Sequence, residues 1–166
     1  MMITVLGVDS GSLCTGFGVV QGDGRLHRAL DWGAIRNPPA ATQAERISAI
    51  YKGLRDVMRR FSPNVLALEG VFYCKNAQSA LKLGQVRGAV MMAALEEGLE
   101  IREFSPAEVK VAVTGYGRAE KQQVQAMVKA ILGLAKLPEP HDAADALALA
   151  LCALSRRGWD SKVGGR

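Results

Sequence analysis

Four acidic residues stand where their carboxylates could act together on a substrate. Asp9 and Glu69 each close a short apolar run of the kind that forms a central strand covered on both faces. In open α/β sheets the carboxyl ends of such strands border the crevice that binds ligands. Asp142 and Asp145 are three residues apart at the start of an alanine-rich stretch, so a helix there would place both on one face. The pattern predicts that the four carboxylates converge.

Carboxylates that converge repel one another, so a fold keeps them together when cations neutralise their charge. Ligand sets made only of oxygen suit Mg²⁺ or Mn²⁺. Two such ions ~4 Å apart can activate a water, stabilise the leaving oxygen and hold a phosphodiester for in-line displacement. The acids therefore indicate metal-dependent phosphodiester hydrolysis.

Each acid also has an ordinary structural explanation. Asp9 precedes a glycine-rich turn, where an aspartate commonly bonds its own backbone. Asp142 and Asp145 could simply complement the dipole at the start of a helix. Glu69 is harder to explain in this way, because a charged residue that closes a buried strand needs a partner. The residues alone leave both interpretations open.

Composition favours a polyanionic partner. Lys and Arg outnumber Asp and Glu by 21 to 16 in 166 residues, and each phosphate that a cation neutralises releases a counterion. No apolar run approaches the ~20 residues of a membrane span, and the first residues lack the features of a signal peptide. The three cysteines have no CxxC spacing, so neither a disulfide framework nor a zinc site is expected. We therefore expect a cytoplasmic protein.

The elements that would position the acids alternate in a recognisable order. Three β-prone runs come first and predict antiparallel strands, whereas the following β and α runs predict parallel strands joined by helices. Predicted strands cover residues 3–9, 15–20, 25–36, 65–69 and 101–104. Predicted helices cover residues 42–61, 76–97, 106–114, a stretch ending at 133, and 142–155. The order predicts one three-layer α/β domain over residues 1–157, with a mixed five-stranded sheet flanked by helices, and a flexible tail over residues 158–166.

Five short sequence motifs lie in and around these elements, between about residue 3 and residue 154. They are GVDSGS (7–12), TGFGVV (15–20), LEGVF (68–72), KNAQSALKLGQVRG (75–88) and DAADALA (142–148). Together they resemble the RuvC-type Holliday junction resolvases, a family of crossover junction endodeoxyribonucleases in the ribonuclease H-like superfamily. Two positions depart from the family's pattern, since Ser10 stands where Pro is usual and Gly70 where a polar residue is common.

The resemblance implies a ribonuclease H-like fold, a homodimer and paired nicks at four-way DNA junctions. Asp9, Glu69, Asp142 and Asp145 fall on the family's catalytic acids and would hold two Mg²⁺ ions per subunit, with Mn²⁺ able to substitute. The resemblance also implies work in recombination and repair beside a junction-binding and branch-migration complex of the RuvA and RuvB type.

The resemblance further implies a set of DNA contacts. An aromatic residue after the Glu would enter the junction, which maps to Phe72 with Tyr73 beside it, and such a ring can stack on an unpaired base. Packing in the core is the alternative for Phe72. Lys110 and Lys121 match basic positions near the scissile strand, where a cation would stabilise phosphate charge. The other expected phosphate contacts are Lys75, Lys82 and Arg118.

Two further features have alternatives. His141 adjoins Asp142 and could serve as a general base or a metal ligand, or could simply begin the helix. Gly84 and Gly88, among neighbouring alanines, would let another helix approach closely, which makes this helix the candidate dimer face. Packing on its own sheet is the other explanation.

Three other functions compete with this interpretation of the sequence. The stretch from Asp9 to Ser12 before a glycine-rich hairpin resembles the phosphate-binding opening of actin-like and sugar-kinase-like ATPases, but no second phosphate loop follows. A non-catalytic junction-binding module would keep the basic residues and would not need four acids. A ribonuclease H-like enzyme that acts on RNA or flaps is the third alternative.

Overall fold

The computed structural model describes the backbone of residues 1–70 and 74–163 and the side chains of those residues up to Arg156. The strands in this part of the chain are β1 (Ile3–Asp9), β2 (Cys14–Gly22), β3 (His27–Arg36), β4 (Val65–Glu69) and β5 (Glu100–Phe104). The helices are α1 (Gln43–Phe61), α2 (Ala77–Glu96), α3 (Pro106–Thr114), α4 (Lys121–Leu132) and α5 (His141–Val163).

The strands form one mixed five-stranded sheet, as the sequence predicted, and their order in it is β3-β2-β1-β4-β5. β1, β2 and β3 are antiparallel neighbours, whereas β4 runs parallel to β1 and β5 parallel to β4. Val8 of β1 pairs with Leu68 of β4. Asp9 and Glu69 follow these paired residues directly, so the two acids end adjacent strands at the same edge of the sheet.

Helices cover both faces of the sheet, which gives the predicted three layers. Side chains along a strand alternate between faces, and accordingly Val5 and Ala67 belong to the core beneath α3, α4 and α5. Leu6 and Leu66 belong to the core beneath α1 and α2. Counting on in steps of two from Val5 and Ala67 places Asp9 and Glu69 on the face that α5 covers.

Helix α5 reaches the sheet through a group of glycines that we call the glycine seat, namely Gly7, Gly16 and Gly18. A Cβ atom added to Gly7 would lie 1.9 Å from the carbonyl oxygen of Ala146, and one added to Gly16 would lie 2.1 Å from that of Asp142. Any larger side chain would push the helix outward, because the obstructing atoms belong to its backbone. The glycine seat therefore sets how close the start of α5 comes to the end of β1.

The ends of the helices agree with the sequence in most cases. Helices α1 and α3 begin where the sequence predicted, and Thr42 and Ser105 cap them, each in a capping box. α5 differs, because it was predicted to end at Ser155 and instead continues to Val163, so residues 158–163 of the predicted tail are helical. Residues 164–166 lie outside the described residues. Within the described part of the chain, no helix has the length and apolar composition needed to cross a membrane.

Candidate active site

Three of the four predicted acids form a tight cluster. Asp9, Asp142 and Asp145 each offer a carboxylate oxygen, and these atoms all lie within 4.8 Å of one another. Asp9 comes from the end of β1, and the other two come from the first turn of α5, which rests on the glycine seat. The convergence that the sequence predicted for these three residues is thus present in the structure.

Glu69 joins this cluster across a cleft of about 300 Å³. The cleft has an acidic side formed by Asp9, Glu69 and Asp145. Its remaining walls are formed by Pro106, Val109, Lys110, Lys121, Val124, Ala148 and Leu149. The cleft therefore combines carboxylates, two lysines and a largely apolar wall, a composition typical of small-ligand and active sites.

The carboxylate of Asp9 is partly buried and lies among other negatively charged carboxylates. Burial, followed by the charges of Asp145 and Asp142, raises the pKa of Asp9 from its ordinary value of 3.8 to about 8. A buried acid among like charges is costly to ionise. A positively charged ligand would reverse this effect, because it would favour the ionised form of every carboxylate around it.

Positive side chains partly offset the charge at Glu69. Partial desolvation and the charge of Asp145 raise the pKa of Glu69, whereas Arg87, Lys110 and Lys121 lower it. The Nζ atom of Lys121 lies 3.4 Å from Oδ2 of Asp145. The two lysines that line the cleft thus face its acids directly, where they would also meet a phosphate.

The donor set fits a hard divalent cation. All clustered ligand atoms are carboxylate oxygens, which Mg²⁺ and Mn²⁺ prefer. The nearby thiol of Cys14 stays protonated, because burial and then a hydrogen bond to Asp142 raise its pKa to about 11. The ligand atoms that the cluster offers to a cation are therefore carboxylate oxygens.

Comparison with known proteins identifies the family. The family model of the crossover junction endodeoxyribonuclease RuvC matches residues 5–153. This chain belongs to the RuvC family. A RuvC from Chlorobium phaeovibrioides is 50% identical over 161 residues, which cover 96% of this chain and 85% of that relative.

Solved structures agree with this assignment. Thermus thermophilus RuvC in complex with a Holliday junction substrate is 36% identical, with a TM-score of 0.89 over 95% of this chain and 96% of that one. The yeast mitochondrial Holliday junction resolvase Ydc2 is 13% identical, with a TM-score of 0.66 over 96% of this chain and 80% of that one, and shares the fold. The predicted ribonuclease H-like α/β fold and the predicted RuvC family are confirmed.

The basic residues singled out by the resemblance to RuvC occupy two places. Lys110 and Lys121 line the cleft. Lys75 and Lys82, before and within the first turns of α2, are exposed, as is Arg118 in the connection between α3 and α4. The aromatic pair at positions 72 and 73, Phe72 and Tyr73, lies outside the described residues.

His141 begins α5 and has an exposed side chain, next to the RuvC acid cluster. Its Nδ1 atom lies 2.9 Å from Nε2 of Gln125, a buried amide on α4. This contact holds the ring against α4. Among the described residues, the group whose ligand atoms lie within 4.8 Å of one another consists of the three aspartates and does not include His141.

Sequence reasoning missed Arg87, which lies in the segment from Lys75 to Gly88 that resembles RuvC most specifically. Its guanidinium contacts the ends of β4 and β5. Its place in that segment is the signal that could have found it, since the segment was interpreted as a dimer face and as DNA contacts only.

Proposed function

We propose that this RuvC-family chain is a structure-selective endonuclease that resolves four-way DNA junctions by paired, symmetric phosphodiester hydrolysis. The observation that carries the proposal is the convergence of Asp9, Asp142 and Asp145 within 4.8 Å, beside Glu69 in one cleft. The enzyme would act in homologous recombination and DNA repair, in the cytoplasm.

Asp9, Glu69, Asp142 and Asp145 would hold two divalent ions per subunit, Mg²⁺ by preference and Mn²⁺ as a substitute. When bound, the ions would supply Lewis-acid activation of the attacking water and neutralise charge on the phosphate. The oxygen-only donor set and the raised pKa of Asp9 support this assignment.

The other residues of the cleft would bind and orient the scissile phosphate. Lys110 and Lys121 line the same cleft as the acids, where their ammonium groups would stabilise charge that develops on the phosphate oxygens. Val109, Val124 and Leu149 form an apolar wall, which would limit water around the reacting atoms and strengthen these interactions.

Residues outside the cleft would fix the register of the junction. Lys75, Lys82 and Arg118 are exposed and would neutralise backbone phosphates, which would position DNA without reading its sequence. Phe72, with Tyr73, would stack on an unpaired base near the cleavage point.

Two symmetric cuts call for two copies of the site, and α2 supports a homodimer. The helix exposes an apolar row formed by Leu81, Met92 and Leu95. Among the described residues, none comes within 4 Å of a Cβ added to Gly84 or Gly88. A second chain could therefore approach this face closely.

We also propose, on the basis of family membership, that the protein works beside a branch-migration complex of the RuvA and RuvB type.

The test is a cleavage assay on a labelled four-way junction, a linear duplex and an RNA–DNA hybrid, with Mg²⁺, with Mn²⁺ and with chelator. We expect symmetric, metal-dependent cuts in the junction, and we expect Asp9→Asn to bind the junction without cutting it. Binding without cleavage under every metal condition would favour the non-catalytic module. Preferred cleavage of the hybrid would favour an RNA-directed enzyme instead.

A further inference from the structure

A single arginine joins helix α2 to the strand end that carries Glu69. The Nη1 atom of Arg87 donates to the main-chain carbonyl oxygen of Glu69. Its Nη2 atom lies 3.2 Å from Oε1 of Glu103, on the neighbouring strand β5. The side chain of Arg87 is only 13% exposed, so its planar guanidinium is enclosed where it spans two strand ends.

We infer that Arg87 is a positioning residue, which fixes the backbone at Glu69 so that the Glu69 carboxylate meets the aspartate cluster. The inference rests on the proposed nuclease function.

The geometry favours positioning over direct action on DNA. The neighbouring residue Val86 packs in the core beneath α1 and α2, so Arg87 approaches the strand ends from that layer. The Glu69 carboxylate lines the cleft on the α5 side of the sheet. Arg87 is not among the residues that line this cleft, and its Nη1 and Nη2 atoms contact a main-chain carbonyl and a carboxylate. Its effect on a reacting phosphate would therefore pass through Glu69.

The local structure explains why the backbone at Glu69 needs the contact with Arg87. Glu69 is the last residue of β4, where the ladder to β5 ends with the pair Glu69 and Phe104. One more bond, from the amide of Gly70 to the carbonyl of Phe104, continues the contact at 2.8 Å. Among the described residues this is the last bond of the ladder between β4 and β5, and the guanidinium supplies a cross-link at the same place.

The arrangement connects two parts of the proposed mechanism. α2 carries the apolar face proposed for dimerisation, and through Arg87 the same helix holds one of the four acids. Small displacements of a catalytic group are costly, since a misplacement of about 1 Å can slow an enzyme by roughly 100-fold.

The test compares Arg87→Gln, Arg87→Lys and Glu103→Gln with the wild-type protein and with Arg60→Gln, which removes an equal charge from an exposed position on α1. Four quantities are measured for each protein: the single-turnover rate of junction cleavage at saturating enzyme, the junction Kd in chelator, the Mn²⁺ affinity by electron paramagnetic resonance, and Tm.

We expect Arg87→Gln to slow single-turnover cleavage by roughly 10- to 100-fold and to weaken Mn²⁺ binding, with the junction Kd unchanged. Arg87→Lys should remain slow, because a single ammonium cannot span the carbonyl and the carboxylate as the guanidinium fork does. Arg60→Gln should match the wild type in all four measurements.

If Arg87→Lys cleaves the junction at the wild-type rate, then only the charge of Arg87 matters, and the inference is overturned. Wild-type cleavage by Arg87→Gln, or a rate loss fully explained by weaker junction binding, would overturn it too. If Arg87→Gln does not fold, Glu103→Gln decides, because it frees one side of the guanidinium: several-fold slower cleavage supports the inference and an unchanged rate refutes it. Failure of the wild-type protein to cut would refute the proposed function instead, and the Mn²⁺ affinities would still test Arg87.

Discussion

Replacing Asp9 with Asn should stabilise the metal-free protein at alkaline pH, even though we expect the same replacement to abolish cleavage. Asp9 lies half-buried between Asp142 and Asp145, and these surroundings raise its pKa from 3.8 to about 8. Asn has nearly the same shape and no charge, so it keeps the packing and removes the repulsion. Asp9, which is proposed to be essential for activity, is thus expected to reduce the stability of the metal-free protein.

The direction in which pH changes the stability follows from proton binding by Asp9. Between about pH 4 and pH 8 folded Asp9 holds a proton that the unfolded chain has released, so stability falls as the pH rises through this window and levels off above it. At about 1.36 kcal/mol per pKa unit, the full shift corresponds to an upper limit of about 5–6 kcal/mol. Because Asp9 is partly accessible and water screens its charge, we expect about 3 kcal/mol in the difference between Asp9→Asn and wild type.

The assay is urea unfolding in chelator at several pH values, for the wild type, Asp9→Asn and Asp56→Asn. Asp56 is exposed on α1 and controls for the loss of one surface carboxylate. The free energies of unfolding of wild type and Asp9→Asn should converge near pH 4 and diverge up to about pH 8. A wild-type protein that is as stable as Asp9→Asn at about pH 9 would refute the reasoning.

Three further predictions concern the glycine seat, the dimer face and the cleft. Gly7→Ala should lower the free energy of unfolding by about 3 kcal/mol or more, measured in urea, because the new methyl group would meet the carbonyl of Ala146. We expect the wild-type protein to sediment as the proposed dimer and Leu95→Arg to sediment as a monomer at the same concentration, with the fold retained, since Leu95 is exposed on α2. Lys121→Gln should slow junction cleavage by roughly 10-fold, while its exposed pair with Asp145 should contribute less than about 1 kcal/mol to stability.

Each of these predictions has an outcome that would contradict it. A Gly7→Ala protein with wild-type stability would mean that α5 can move off the sheet at little cost. Dimers of Leu95→Arg would place the interface elsewhere, and unchanged cleavage by Lys121→Gln would remove the lysine from the mechanism.

The sequence predicted the sheet and two of the acids because strand signals are local. The apolar runs that end in Asp9 and Glu69 identify β1 and β4 from local sequence alone. That these two strands are parallel neighbours depends on a contact between distant segments, which the structure shows. Parallel neighbours bring their carboxyl ends to one edge.

The remaining features depend on contacts between distant segments, which local patterns do not encode. Gly7 and Gly16 resemble ordinary strand and turn glycines in the sequence, and only the docked α5 shows why a side chain is excluded there. Arg87 in the same way resembles any helical arginine until its partners at the strand ends are known. The end of α5 was placed too early because one glycine costs a helix only about 1 kcal/mol and does not terminate it alone.

The way α5 rests on the glycine seat also determines when the site can exist during synthesis. Asp9 leaves the ribosome long before Asp142 and Asp145, which lie far behind it in the sequence. Domains fold as units during synthesis, and here the cluster stays incomplete until α5 docks onto β1. A nascent or truncated chain that lacks this helix would therefore be unable to nick DNA, so translation itself delays activity until the fold is whole.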